Sequence, residues 1–255
     1  MNKYIKTAVL TARGQTNGGI VYLLPGLFIR ILTLISLTFL WRVVMKGGAQ
    51  VGMSLEQMLT YTYTSALLTD MLVVNTPAGG WLAEGILQTL YSRPMPVFAQ
   101  LAAQTIGGWL PGLLLFSLPM ALASTLLGIS LIPKSALFLI SLLLCISLGF
   151  AIDFLFACLS IKLRNMSWMI GRIRTAILAL FSGTVIPIKL LPFGLAQAMA
   201  YQPFASLGGA TLSLFVGSAD AAQVITLQIL WNAILWPTAL FVWKKSQEGM
   251  VSYGG

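Results

Sequence analysis

Stretches of about twenty residues with almost no charge recur along this chain, and no other feature limits its fold so severely. A bilayer core about 30 Å thick is crossed by roughly 20 apolar residues in a helix. Six such stretches are read over residues 21–45, 54–75, 97–126, 135–160, 172–190 and 224–243. Of the 255 residues, 58% are hydrophobic and only 8% charged, where a soluble domain carries about 25% charged residues. Hydrocarbon admits only helices and closed barrels, because each backbone polar group must find its partner inside the protein. The expected fold is therefore all-α, a polytopic membrane protein with six transmembrane helices.

The segments outside these spans have their own patterns. In residues 1–19, Tyr4, Ile5, Ala8, Val9 and Ala12 share one helical arc, and Lys3, Lys6 and Arg13 share the opposite one. That is the pattern of an amphipathic helix lying in the membrane interface. The apolar run that follows is too long for a cleavable signal, so residues 20–255 are read as one transmembrane domain. Ten basic residues (Lys3, Lys6, Arg13, Arg93, Lys162, Arg164, Arg172, Arg174, Lys244 and Lys245) fall on one side and four (Arg42, Lys46, Lys134 and Lys189) on the other. The side richer in Lys and Arg is cytoplasmic, which puts both termini there. Trp41-Arg42 and Trp243-Lys244-Lys245 end their spans as interfacial anchors. Residues 183–223 are apolar but broken by Pro187, Pro192, Pro203, Gly194, Gly208, Gly209 and Gly217. They are expected to form re-entrant helices in the outer leaflet, since no part gives the uninterrupted 17–25 residues of a span. The alternative is a seventh and an eighth span.

A polar island at 81–94, WLAEGILQTLYSRP, separates the second and third spans. As a helix it places Leu82, Ile86 and Leu90 on one side, with Leu87 beside them. Glu84, Gly85, Gln88, Thr89 and Ser92 fall on the other. Arg93-Pro94 closes it, because the residue before a proline leaves the helical region. From the residues alone it is an interfacial helix, with or without something docked on its polar face.

Several classes of chemistry are absent. There is no histidine, so there is neither imidazole catalysis nor a His-ligated metal site, and no metal is expected. Cys145 and Cys158 lie about 20 Å apart in one expected helix and cannot bridge. No nucleophile, base and orienting group gather at one depth, so the chain is not read as an enzyme. No GxxxxGK[ST] is present, so the chain has no phosphate-cradling loop of that type. The net charge of +9 reports membrane topology rather than nucleic-acid binding.

Three charges fall inside spans: Arg30, Asp70 and Asp153. Each costs at least about 2.5–3.5 kcal/mol at mid-bilayer and needs a partner. Their depths match well enough that Arg30 is expected to pair with Asp70 or Asp153, either as a structural ion pair or in substrate or proton handling. The second span is rich in hydroxyls. Thr60, Thr64 and Thr69, with their neighbours, suit either a polar translocation path or packing by bonds to backbone carbonyls. Gly108 and Gly112 bracket Pro111, which suggests a kink before it suggests a close helix contact. The basic stretch Lys162, Arg164, Arg172 and Arg174, with Trp168 inside it, is read as a loop that holds topology.

With these features placed, further residues carry a resemblance. They are Phe39-Leu40-Trp41-Arg42, Glu56-Gln57-Met58-Leu59-Thr60-Tyr61, Glu84-Gly85 with Ser92-Arg93-Pro94, Phe181-Ser182-Gly183 with Ile186-Pro187, Pro192, Pro203-Phe204, Leu230-Trp231 and the terminal Gly254-Gly255. In order and spacing the chain resembles a permease subunit of the type-two exporter class of ABC transporters, in the compact branch grouped with antibiotic and multidrug export. The resemblance implies a separate ATPase subunit in two copies that binds ATP and Mg, no cofactor in this chain, and a second permease, identical or homologous, all in a bacterial inner membrane. It implies export of a hydrophobic or amphipathic drug, antibiotic, peptide or lipid. It also implies that 81–94 is the coupling helix: Leu82, Ile86 and Leu90 toward lipid or the transporter body, Glu84 and Gln88 toward the ATPase, and Arg93 at its end. The family commonly has a further basic residue after the island's acidic one, where this chain has Ile86-Leu87-Gln88. The alternative is a self-contained secondary transporter or channel using Asp70 or Asp153.

Overall fold

The computed structural model describes residues 2–47, 52–83, 88–162 and 166–251, and these are helical with no strands. Helix α1 (Lys3–Thr16) is capped by the Asn2 side chain, which accepts from the Tyr4 N–H. A short 3-10 turn leads into α2 (Leu24–Lys46), which carries Pro25 in its first turn, where the missing N–H costs nothing. Helix α3 (Leu55–Leu67) starts at a capping box in which Ser54 and Gln57 each bond the other's backbone N–H. There follow α4 (Thr69–Leu72), α5 (Ala78–Ala83), α6 (Gln88–Tyr91), α7 (Val97–Gly112), α8 (Leu118–Leu126), α9 (Phe138–Lys162), α10 (Ser167–Phe181), α11 (Leu195–Ala200), α12 (Gly208–Phe215) and α13 (Ala221–Val251).

Four stretches are long and apolar enough to cross a membrane: Leu24–Lys46, Val97–Leu126, Phe138–Ser160 and Ala221–Ser246. Their outward faces are greasy. Phe28, Ile35 and Phe39 on α2, Leu122 and Leu126 on α8, Leu143 on α9 and Phe241 on α13 all stand exposed, a surface suited to lipid and not to water. In the stretch 97–126 the helix runs through Pro111 and loosens into a π-type turn over Leu113–Ser117 before α8. That is the usual response where a proline removes a hydrogen bond.

The other two expected spans are shorter than the sequence suggests. Residues 54–75 form α3, a break at Leu68 and the single turn of α4. At 1.5 Å per residue α3 is only about 20 Å long, and everything from Met58 to Ser65 is buried. The span expected over 172–190 is instead α10, ending at Phe181. Gly183 follows at φ +75° and Pro187 interrupts further on. The backbone of 182–183 is pressed against α12, where a Cβ on Gly209 would come within 2.6 Å of the Ser182 carbonyl oxygen.

The stretch 183–223 contains a 3-10 turn (Ile188–Leu190), α11 and α12, none of them of spanning length. Helix α12 lies on α9 and α3. The Ser141 and Thr211 hydroxyls meet at 3.0 Å, and Phe138 and Phe215 stack edge to face at 4.9 Å. A second core joins α7, α9 and α13 through Phe98, Phe154, Trp236 and Trp243. Trp243 and Trp41 are therefore not interfacial anchors: both are buried, because large aromatic neighbours or α3 cover them. Helix α1 rests on α7 so closely that a Cβ on Gly107 would meet the Ala8 carbonyl at 2.3 Å. Gly108 lies under Gln15, so the glycines here serve helix contact as well as the proline bend.

Candidate functional site

The five residues 73–77, between α4 and α5, are extended or turning rather than helical. Val74 lies on α9 at Gly149, where a Cβ would come within 2.7 Å of it. Thr76 then starts α5, which runs into the island: its hydroxyl oxygen accepts from the Ala78 N–H, and Pro77 lies just ahead of the first turn.

Around this segment the charges gather in two pairs. Asp153 on α9 accepts both the backbone N–H of Thr76, at 3.0 Å, and the Thr76 hydroxyl on Oδ2. Its Oδ1 lies 3.1 Å from Arg174 Nε, and both side chains are buried. No N–H is aimed along that line, so the contact is ionic rather than a directed hydrogen bond. Arg174 turns its other nitrogens on the same segment, donating to the Val74 carbonyl and, at 3.1 Å, to Asn75 Oδ1. The segment that leads into the island is thus gripped by one side chain from α9 and one from α10. The second pair is Arg30 with Asp70, a two-pronged contact at 2.9 and 2.6 Å that joins α2 to α4. Phe116 lies under the guanidinium at 5.8 Å. Gly112 leaves the room: a Cβ there would sit 2.8 Å from Asp70 Oδ2.

Two cavities flank the segment and share Val73, Asn75 and Thr76 as a wall. One, of 590 Å³, lies among α5, α9 and α10. The other, of 470 Å³, lies among α1, α4 and α7, lined by Asp70, Gln104 and Gln15.

Of the charges singled out in the sequence, Arg30 finds Asp70, and Asp153 finds a different partner. Arg174 is not part of a solvated topological loop. It is buried inside α10, because the Asp153 carboxylate and two backbone-side acceptors await it there. The pattern Asn75-Thr76-Pro77 is a helix-start signal that pointed to this site. In the island, Leu90 is fully buried and Arg93 exposed, as the amphipathic pattern requires. Gln100 on α7 donates to the carbonyls of Leu90 and Met95, and Lys3 on α1 donates to that of Pro94. Glu84 and Ile86, and the side chains of Leu82 and Gln88, lie outside the described residues.

Four hydroxyls of α3 are spent on packing, while the buried Thr64 hydroxyl has no hydrogen-bond partner among the described residues. Thr60 donates to the Ser130 carbonyl, Tyr61 to Gly183, Thr62 to Met58 and Ser65 to Thr184. Thr60 and Thr64 are buried, Thr69 is partly buried, and none of the three lines either cavity.

No curated protein matches the chain. A family model does, that of an ABC-2 family transporter protein, over residues 30–254. That match takes in the first long helix from Arg30 on, the other three whole, the segment 73–77 and both ion pairs. The chain is a member of the ABC-2 transporter family, a multi-pass membrane protein of the permease type.

Proposed function

We propose that the chain is the permease subunit of an ATP-driven exporter, moving a hydrophobic or amphipathic molecule (a drug, antibiotic, peptide or lipid) out of the cytoplasm. Two copies of a separate ATPase supply the energy and bind the ATP and Mg, and a second permease, identical or homologous, completes the complex. The island 81–94 is the ATPase contact. Family membership supports an ATPase partner. The observation that carries the mechanism is the hold of Asp153 and Arg174 on Thr76, Val74 and Asn75. A displacement of the island by a motor outside the membrane reaches Thr76 first. It is then shared between α9 and α10, because both helices are fastened to that residue's surroundings. The Arg30–Asp70 pair holds the preceding turn to α2, so the push has a fixed point to work against.

In this reading α3 with α4, and α10, are the second and fifth of six spans; α3 is covered by protein rather than lipid, and α10 stops at the Gly183 turn. The stretch 183–223 is re-entrant. Its helix α12 packs on α3 and α9, with Thr211 on Ser141, while Gly208 and Gly209 lie against Thr184, Leu72 and the backbone of 182–183, which gives non-helical backbone at membrane depth the protein shelter it requires. Both termini and the island face the cytoplasm of a bacterial inner membrane, an orientation the basic residues still favour after Arg174 is moved to the interior. A self-contained proton- or cation-driven transporter needs a carboxylate free to exchange its proton. Asp70 and Asp153 are both held by arginines, which supports the ATP-driven reading.

Proteoliposomes separate the two. With a fluorescent amphipathic dye as probe, transport is expected only when the ATPase subunit and ATP are both present. Dye movement by the chain alone under a proton gradient overturns the proposal.

A further inference from the structure

The grip of Asp153 and Arg174 leaves charge over in the cavity beside it. Three charged side chains line that 590 Å³ space, Asp153, Arg174 and Arg172. The first two cancel. Arg172 is exposed and, among the described residues, has no carboxylate within ion-pair distance. The cavity therefore carries one net positive charge. Asn75 adds to its pull on anions, because Arg174 occupies its amide oxygen and leaves its N–H groups to donate. The other walls are apolar. Trp168, 73% exposed, stands on the rim, and Phe156 lies inside.

We propose that this cavity binds the headgroup phosphate of an anionic phospholipid from the leaflet on the island's side. The phosphate lies on Arg172 and Asn75, and the glycerol region lies beside Trp168, from which the acyl chains leave toward the bilayer. Each part has a physical reason. Guanidinium matches phosphate in two-pronged geometry, tryptophan prefers the headgroup level of a bilayer, and basic pockets between membrane helices hold lipid headgroups. A small soluble anion satisfies Arg172 equally well but leaves the exposed Trp168 on the rim without a role. The proposal requires only that the chain sits in a bilayer and does not rest on ATP-driven export.

Native mass spectrometry of the purified full chain in detergent tests it. The chain is titrated with phosphatidylglycerol or phosphatidylcholine of identical acyl chains, with and without inorganic phosphate. Both lipids carry the phosphate, but the choline cation of phosphatidylcholine offsets its attraction to Arg172, so one phosphatidylglycerol is expected to bind about tenfold tighter. Arg172→Gln is expected to erase that preference, and Trp168→Ala to weaken both lipids. Arg13→Gln, which removes an exposed cation on α1, is expected to change neither. Undiminished phosphatidylglycerol binding by Arg172→Gln overturns the site. So does an equal loss in Arg13→Gln, which makes the attraction nonspecific. Displacement by inorganic phosphate, or no effect of Trp168→Ala, replaces the lipid with a small-anion site.

Discussion

At Asp153 a carboxylate taken out of water is held by an arginine, a hydroxyl and a backbone N–H, and that combination sets what happens when any one is removed. Breaking a buried pair from one side leaves the other charge uncompensated, at a cost of about 3–5 kcal/mol. Asp153→Ala and Arg174→Ala are therefore each expected to lower the thermal melting point of the detergent-solubilised chain sharply. The double variant Asp153→Leu/Arg174→Met is expected to recover most of that loss, because no lone charge remains. Equal damage in the double variant contradicts this. At the other pair, Arg30→Lys keeps the charge but not two parallel bonds to Asp70. Its melting point is expected to lie between wild type and Arg30→Ala. The need of Arg30, Asp70 and Asp153 for partners was legible in the sequence, because an isolated charge in an apolar run has no cheaper fate. Arg174 was not. It stands two residues from Arg172 near a span end, where positive charge is ordinarily topological, and only the fold brings Asp153 across to it from α9.

Among the elements, the long helices were legible because their apolar runs exceed what a bilayer needs, and the π-type turn after Pro111 was foreshadowed by the proline itself. The ends of α3 and α10 were not. Inside protein an apolar residue is as content in a break as in a helix, so Leu68 carries no local mark; α10 stops where Gly183, at φ +75°, brings 182–183 against Gly209. The hydroxyl-rich α3 also reads two ways in sequence, and its burial resolves it toward packing. Helix α1 was expected in the interface and proves to be seated on α7, where glycine lets backbone meet backbone. Gly107→Leu, which has no room beneath Ala8, is expected to lift α1 away. Hydrogen exchange over residues 3–16 is then expected to quicken severalfold while that of α9 stays slow. Unchanged protection of α1 in that variant contradicts the seating.

For the molecule as a whole, the proposed function makes the island and the segment before it a lever between a motor and two helices. Thr76→Val keeps the shape of the side chain and removes the hydroxyl that joins Asp153 to the island. In the reconstituted complex with its ATPase this variant is expected to hydrolyse ATP while transporting less amphipathic dye per ATP than wild type; an unchanged ratio contradicts the lever. Composition and span count made the membrane class legible, and the chain's residues carried the family resemblance that the match over 30–254 bears out. The lever itself was hidden, because it joins residues 76, 153 and 174, which no local pattern connects. The most direct measurement is a cross-link from the island to the motor. Cysteines placed at Glu84 and at Gln88 in the assembled complex are expected to cross-link to the ATPase subunit and to be shielded from a water-soluble thiol reagent. Free reaction of both with that reagent, and no cross-link, would contradict the coupling role of 81–94.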